Sequence, residues 1–319
     1  MARILVTGGA GFLGSHLVRA LALRGDRVVA FDNFHTANPA NLGDLRDRVE
    51  VVDGDMTDLS HVLRVVKEHG IERILHAAAI SSMLPAIAKP ALTVRVNVEG
   101  MVNVLEAMRL FGVARCVHIS SEETYGSFQY EPADEEHPQN PFGPYGVTKM
   151  AAERLGRSYR QLFGLDVIHV RTSWVYGAGL PRNRVPKLFI ENALAGRPTH
   201  LPTGGDHRLD HTYIRDFLDG TLRAFDLPVH RHDVYNIASG RAHTVAEVAE
   251  AVRELIPGAE IQVGPGLLEW LPGIPAPPKG SLDVTRAREA LGYRPKYDLK
   301  AGLAEYLSWF RRGQPPTEI

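Results

Sequence analysis

A single cysteine, Cys116, stands in the 319 residues, so the chain can form no internal disulfide and suits a reducing compartment. Within Val113-Ala-Arg-Cys-Val-His-Ile119 it reads as a small buried side chain of a strand rather than a reactive thiol. Long apolar runs are missing as well, and none approaches the length needed to span a bilayer. Charge of one sign is not in excess: 36 Lys and Arg stand against 37 Asp and Glu, and no block of like charges interrupts the mixture. That balance gives no support for nucleic acid or a membrane surface as a partner. Met1 leads almost directly into an apolar strand, leaving no room for a secretory signal, and a soluble cytoplasmic protein is expected. The length suggests about two domains, or one large α/β domain with an appended lobe.

What is present is organised around Arg3-Ile-Leu-Val-Thr-Gly-Gly-Ala-Gly-Phe-Leu-Gly14. Ile4-Leu5-Val6 reads as a fully buried parallel strand, and an amphipathic helix starts near Ser15. Glycines between a strand and a helix let the backbone turn tightly and approach a pyrophosphate, which the helix N-terminus then meets with free N–H groups and a positive dipole end. The spacing is Gly8-x-x-Gly11-x-x-Gly14. A second strand, Arg27–Phe31, closes on Asp32, 18 residues past Gly14, near the distance at which a carboxylate meets the adenine ribose hydroxyls. Residues 33–45 contain no Lys or Arg that would attract a 2′-phosphate, so NAD is expected over NADP.

Strand and helix alternate from there. Strands are expected at 49–52, 73–76, 116–120 and 166–171, with helices over 58–69, 93–111 and from Tyr145 to Phe163. Val94, Val98, Val102, Leu105 and Met108 recur at helical spacing and read as core, and Asn97 among them must satisfy its amide. After Gly177 the rhythm loosens into short strands, a helix over 185–195, and a proline-rich flap between Gly264 and Gly280. Val234–Ile237 looks like a strand returning to the large sheet, and helices are expected at 245–255 (capped by Thr244), 285–291 and 299–311. The reading is a doubly wound parallel α/β sheet of the Rossmann type over residues 1–174. Residues 175–319 would form mainly a smaller mixed substrate lobe, with the strand and helix around 230–256 returning to the first domain.

Tyr145-Gly-Val-Thr-Lys149 carries the chemistry. Positions i and i+4 share a helix face. A phenol with a normal pKa of about 10 is a poor base at neutral pH, and a nearby ammonium favours its phenolate. A tyrosine tuned in this way can take a proton from a sugar hydroxyl while a hydride leaves the same carbon for a nicotinamide. His207 and His211, beside Asp206 and Asp210, have i, i+4 spacing but lie in a loop running into a strand, so no metal site is expected.

Taken together, these motifs resemble the extended short-chain dehydrogenases/reductases of the nucleotide-sugar epimerase/dehydratase family. Thr7 to Gly14, Asp32-Asn33, Gly54-Asp55, His76-Ala-Ala78, Asn97-Val98, Ser120-Ser121, Tyr125-Gly126, Pro144 to Lys149, Val175-Tyr-Gly177 and Leu291-Gly-Tyr293 carry the likeness along nearly the whole chain. The resemblance implies that Gly8, Gly11, Phe12, Leu13 and Gly14 cradle the pyrophosphate of NAD. It further implies that Asp32 meets the adenine ribose, that Asp55 and Met56 flank the adenine, that Ala77 and Ala78 line the nicotinamide side, and that Asn33 and Asn97 belong to the cofactor site. Ser121 would hold the reacting 4-hydroxyl, Tyr145 would be the base, and Lys149 would bind the nicotinamide ribose and tune the tyrosine. A homodimer through a four-helix interface is implied too, with Met101, Leu105, Leu155 and Tyr159 as candidates that the core could equally claim.

The fate of the 4-keto sugar separates the family's activities. An epimerase rotates it and needs no further acid or base; a dehydratase removes the C5 proton and expels the C6 hydroxyl, which takes an added pair of groups. Family dehydratases carry these directly after the Ser/Thr, where this chain has Glu122-Glu123; decarboxylases of nucleotide-activated glucuronic acid also show a glutamate at the second position. On the frequency of the activity and the chain's shortness, a 4-epimerase is favoured, with a 4,6-dehydratase or a decarboxylase using Glu123 as alternatives. A non-catalytic NAD-binding sensor is the alternative from another class, but binding alone has no need of a tuned tyrosine. Where many relatives have a diphosphate-clamping arginine this chain has Leu209, and Arg182, Arg184, Arg208 or Lys279 are the substitutes among which the sequence does not choose.

Overall fold

The glycine turn sits at the centre of the molecule because the strand before it is buried on both faces. The computed structural model describes residues 2–45 and 47–313. Strand β1 (Arg3–Thr7) pairs in parallel with β2 (Arg27–Asp32) on one side and β4 (Arg73–His76) on the other, and α1 (Phe12–Leu23) connects the first two. β3 (Val49–Asp53) lies outside β2, and α2 (Leu59–Glu68), capped by the Asp58 carboxylate at the N–H groups of Ser60 and His61, leads back to β4. Ile4 and Val6 enter the core on one face and Leu5 the core on the other, so a three-residue apolar run serves two layers of helices.

After α3 (Met83–Ala88), the chain runs through α4 (Pro90–Val94), a π turn over Arg95–Glu99 and α5 (Gly100–Phe111) into β5 (Arg115–Ser121). α6 (Gly143–Phe163), with Pro144 in its first turn, follows a long loop and precedes β6 (Val167–Thr172). The substrate lobe begins with β7 (Trp174–Tyr176), α7 (Lys187–Leu194), β8 (Thr199–Leu201) and β9 (Arg208–Tyr213). α8 (Ile214–Asp226) then returns the chain to β10 (Val234–Ile237), which pairs in parallel with β6. The large sheet has the order β10-β6-β5-β4-β1-β2-β3 and is parallel throughout. Its order reverses between β1 and β4, and the carboxyl edge at that point is where ligands of such sheets bind.

The helix that comes back with β10 is α8, which packs on β5, β6, β10 and α1. The following elements are β11 (Ala242–Thr244) and α9 (Val245–Leu255), the latter closed by a capping box in which the Thr244 hydroxyl and the Glu247 carboxylate serve each other's backbone N–H. α9 packs on the lobe, against β11, β12 (Ile261–Val263) and, later, α11 (Leu299–Arg311). The proline-rich flap holds a small hairpin, β13 (Glu269–Leu271) with β14 (Ile274–Pro275), and α10 (Thr285–Leu291) completes the order.

The valine stripe needs correction. Leu105 and Met108 are fully buried, but Val94 is 50% exposed and Val98 and Val102 are half-buried. The buried column is Thr93, Asn97, Met101, Val104, Leu105 and Met108, whose first three members each precede a valine of the stripe by one residue. Apolar residues fill two adjacent columns here, and the choice between them is made by the sheet and by the π turn, which inserts an extra residue into the helical repeat. Among the described residues, no helix is long and apolar enough to cross a membrane.

Candidate active site

The turn after β1 is shaped as the glycine spacing requires. Gly8 has φ +65°, and a Cβ there would come within 2.7 Å of the Ala78 backbone nitrogen; at Gly14 it would meet the Gly8 carbonyl oxygen at 1.9 Å. Gly11, the N-cap of α1, supplies no side-chain cap, so the first N–H groups of that helix face the carboxyl edge of the sheet. These features fit a pyrophosphate that approaches backbone directly. Phe12 and Leu13 form the half-buried first turn of α1. The Asp32 carboxylate accepts from the N–H groups of Ala10 at 3.0 Å and Phe34 at 2.9 Å, so the residue read as a ribose ligand also ties the end of β2 to the glycine turn. Burial raises its pKa, and those N–H groups oppose the rise.

Asp55 accepts from the N–H and hydroxyl of Thr57, while Met56 is buried with its carbonyl held by Asn103. Exposed Asn33 caps the N–H of His35. Ala77 and Ala78 lie half-buried past β4, their N–H groups donating to the Thr7 carbonyl and hydroxyl. Asn97 takes a different part from the one read for it. Its amide oxygen accepts from the Ile80 N–H at 2.8 Å, and its NH2 donates to the Ile80 carbonyl and the Thr148 hydroxyl, which uses both donors. It therefore fastens the loop after β4 to α6 and donates no hydrogen bond to a ligand.

Ser121 ends β5, and Tyr145 opens α6 beside it; their hydroxyls are hydrogen-bonded. Burial pushes the Tyr145 phenol up, while Ser121, Arg182 and Arg184 favour its phenolate and Glu123 opposes it. Lys149 makes its own contacts within the protein. Its Nζ donates to the Ile119 carbonyl at 2.6 Å and lies 3.3 Å from Nε2 of His118, and burial brings its pKa down to about 7, with Glu153 opposing. The i, i+4 spacing puts both residues on one face of α6, but the long lysine stem reaches a carbonyl of β5. Arg182 and Arg184, which oppose the rise of the phenol's pKa, come from the segment after β7.

Both glutamates after Ser121 are buried. Neither carboxyl oxygen of Glu122 has a hydrogen-bond partner in the protein, and burial pushes its pKa up to about 8, with Lys279 opposing and Glu123 reinforcing. Glu123 is ion-paired with the Lys279 ammonium at 3.4 Å. Thr172, at the end of β6, also presents a buried hydroxyl without a protein partner. Arg182 donates to the carbonyl and hydroxyl of Ser81, joining the substrate lobe to the loop after β4. Arg184 lies over the Trp174 ring at 4.7 Å, and burial lowers its pKa to about 10. Of the four basic residues offered as a diphosphate clamp, Arg208 goes elsewhere: it pairs with Glu131 at 2.5 Å and is 46% exposed. Arg182, Arg184 and Lys279 gather around Tyr145 and the two glutamates.

Two features lay outside the sequence reading. The buried pair Arg171–Glu153 closes the floor of the site with two N–H···O contacts of 2.6 and 2.9 Å, and the histidines of β4, β5 and β6 stack behind Lys149. His76, His118 and His169 had one signal, a histidine within each of three apolar runs, but their register across the sheet is not written in the local sequence. The Asp210 carboxylate is occupied by the N–H groups of Ser239, Gly240 and Leu282 and the Ser239 hydroxyl. Among the described residues, no three His, Cys, Asp or Glu side chains are grouped to hold a metal.

Known proteins match this arrangement along its length. The NAD dependent epimerase/dehydratase family matches residues 4–238. A UDP-glucose 4-epimerase of Mycolicibacterium smegmatis is 34% identical over 97% of this chain and 98% of its own, and a dTDP-glucose 4,6-dehydratase of Streptomyces niveus is 32% identical over 97% and 93%. The structure of the Thermus thermophilus UDP-glucose 4-epimerase in complex with NAD superposes with a TM-score of 0.84 at 30% identity, covering 97% of this chain and 99% of that one. With the glycine cradle, Asp32 and the Ser121–Tyr145 pair in place, the chain belongs to the NAD dependent epimerase/dehydratase family and takes NAD as its cofactor.

Proposed function

We propose that this protein is a nucleotide-sugar 4,6-dehydratase. The observation that carries the reading is the split between two adjacent buried carboxyls. Glu122 has a pKa raised to about 8 and is an acid at neutral pH, while Glu123 is ion-paired with Lys279. Neighbouring carboxyls whose environments separate their protonation divide into an acid and a base. Rotation of a ketone in a 4-epimerase has no use for such a pair.

When bound, NAD would supply the hydride acceptor for C4 of the hexose and, once water has left, the hydride for C6, with Glu123 returning the proton to C5. Tyr145, assisted by Ser121, takes the C4 hydroxyl proton, with Arg182 and Arg184 favouring the phenolate. The ketone at C4 acidifies the C5 proton, which Glu123 removes. Glu122 protonates the departing C6 hydroxyl, and water leaves. Arg182, Arg184 and Lys279 replace the clamp lost at Leu209 in holding the diphosphate, with Gly8, Gly11 and Gly14 at the pyrophosphate of NAD and Asp32 at its ribose. The working unit is a homodimer.

A 4-epimerase is the second reading, favoured by the 34% identity to a UDP-glucose 4-epimerase. Incubation with UDP-, dTDP-, GDP- and CDP-hexoses, read by mass and NMR, separates the two. Loss of one water is expected; unchanged mass with inverted C4 overturns the dehydratase reading, and loss of carbon dioxide from a glucuronic acid substrate would make the enzyme a decarboxylase.

A further inference from the structure

His76, His118 and His169 are register partners on β4, β5 and β6, so their side chains share one face of the sheet and form a buried row. The rings are 5.5 Å and 5.4 Å apart, the first pair stacked and the second edge to face. Nothing in the proposed chemistry uses them, yet the middle one touches Lys149. His118 has its Nε2 3.3 Å from the Lys149 Nζ and its Nδ1 3.2 Å from Nδ1 of His169.

The donors and acceptors along this row constrain one another. An ammonium only donates, so Nε2 of His118 must be bare, and its proton must sit on Nδ1. That N–H donates to Nδ1 of His169, whose own proton is then on Nε2. This last nitrogen is buried without a partner and faces Gly156 of α6, where a Cβ would come within 2.7 Å of it. Glycine at 156 makes the room that His169 needs.

The other groups around Lys149 are already committed. Glu153 of α6 is spent on Arg171 and the Ser120 hydroxyl, and Nδ1 of His76 is hydrogen-bonded to the Thr7 hydroxyl at 2.7 Å. Tyr145 lies one helical turn away on α6 and is hydrogen-bonded to Ser121. Burial keeps all three histidines neutral, with His76 lowered to about 3 and His169 to about 4.

We propose that His118 is a positioning residue for Lys149: oriented by His169, its bare Nε2 and the Ile119 carbonyl hold the Lys149 Nζ in a core where no carboxylate is free to pair with it. The ammonium is the form these two acceptors stabilise. Removing one of them makes the buried charge less favourable, and Lys149 loses its proton at a lower pH.

The protein contains seven lysines, so a titration on protein labelled with 15N at the lysine Nζ can resolve Lys149, identified by the signal missing from Lys149→Met. In the wild type its midpoint is expected near neutrality. In His118→Phe it is expected about one pH unit lower, the size expected for losing one hydrogen bond to a charged group. His118→Gln, whose amide oxygen can accept, is expected to restore most of the shift, and His169→Phe to reproduce part of it by releasing the orientation of His118. Midpoints in His118→Phe and His169→Phe that coincide with the wild type overturn the proposal. So does a His118→Gln midpoint as low as that of His118→Phe, while His169→Phe and His118→Gln keep the comparison open if His118→Phe does not fold. The consequence for turnover rests on the function proposed above. With a converted sugar nucleotide, and with Lys149 at the nicotinamide ribose as the family resemblance implies, the alkaline limb of kcat should move down in His118→Phe while KM stays constant; a change in KM alone counts against it. Failure of every sugar nucleotide to react would sink the dehydratase reading and leave the lysine titration unaffected.

Discussion

Glu122 is the residue where electrostatics, stability and chemistry meet. Burial without a hydrogen-bond partner lifts its pKa from an ordinary 4.5 to about 8, so the folded protein binds this proton more tightly than the unfolded chain does. The sign follows from linkage: its contribution to stability is intact below pH 4.5 and is lost as pH rises through 8, where folding must hold a buried charge. Glu122→Gln should therefore flatten the decline in melting temperature between pH 5 and 9, gaining at most about 5 kcal/mol over the wild type at the alkaline end. Parallel thermal melts of the two proteins at several pH values check this; curves of equal slope would show that Glu122 ionises freely. The same substitution should abolish elimination while leaving C4 oxidation in place. Tyr145→Phe removes the proton acceptor itself and should lower turnover by about 10²-fold or more without releasing NAD, measured as initial rate and as cofactor retained after gel filtration.

At the scale of the element, the βα turn and α6 do most of the placing. The turn leaves no space for side chains at Gly8 and Gly14, so Gly14→Ala should displace the Gly8 carbonyl and strip NAD from the purified protein, seen as a loss of bound cofactor absorbance. Helix α6 was legible from Pro144 to Phe163 because its start signal and its i, i+4 pair are local. The direction of the Lys149 side chain was not legible, since its hydrogen-bond acceptors belong to β5, some thirty residues earlier in sequence. Asn97 makes the same point. That its amide must be satisfied was legible, but its partners Ile80 and Thr148 come from a loop and a helix that only the fold brings together. A buried amide with three partners is built into the wall of the site.

At the scale of the whole molecule, apolar residues remain uncovered on the outer faces of α4, α5 and α6. Val94 is 50% exposed, Val147 45%, Leu162 71% and Phe163 50%, whereas Met101 and Leu105, candidates for the same interface, are fully buried. A second copy of the chain is the partner that the proposed homodimer places there. The double substitution Val94→Glu with Leu162→Glu should shift the protein to monomer mass in light scattering, with the monomer still folded by circular dichroism; an unchanged mass would place any interface elsewhere.

By itself, the sequence determined the doubly wound sheet, the glycine cradle and the preference for NAD, because each rests on local spacing that reads the same before and after folding, while the pairing of Ser121 with Tyr145 came from the family resemblance. Only the tertiary structure decided which helical column is core, which of the basic residues reach the site, and that Arg182 and Arg184 favour the Tyr145 phenolate. It also decided that Glu122 is buried without a hydrogen-bond partner while Glu123 is ion-paired. Burial and pairing set a carboxyl's protonation, and both depend on Lys279 and Asp210, which approach Glu122 and Glu123 from distant parts of the chain. The glycine turn fixes where NAD is held; the surroundings of Glu122 are what the proposed elimination rests on.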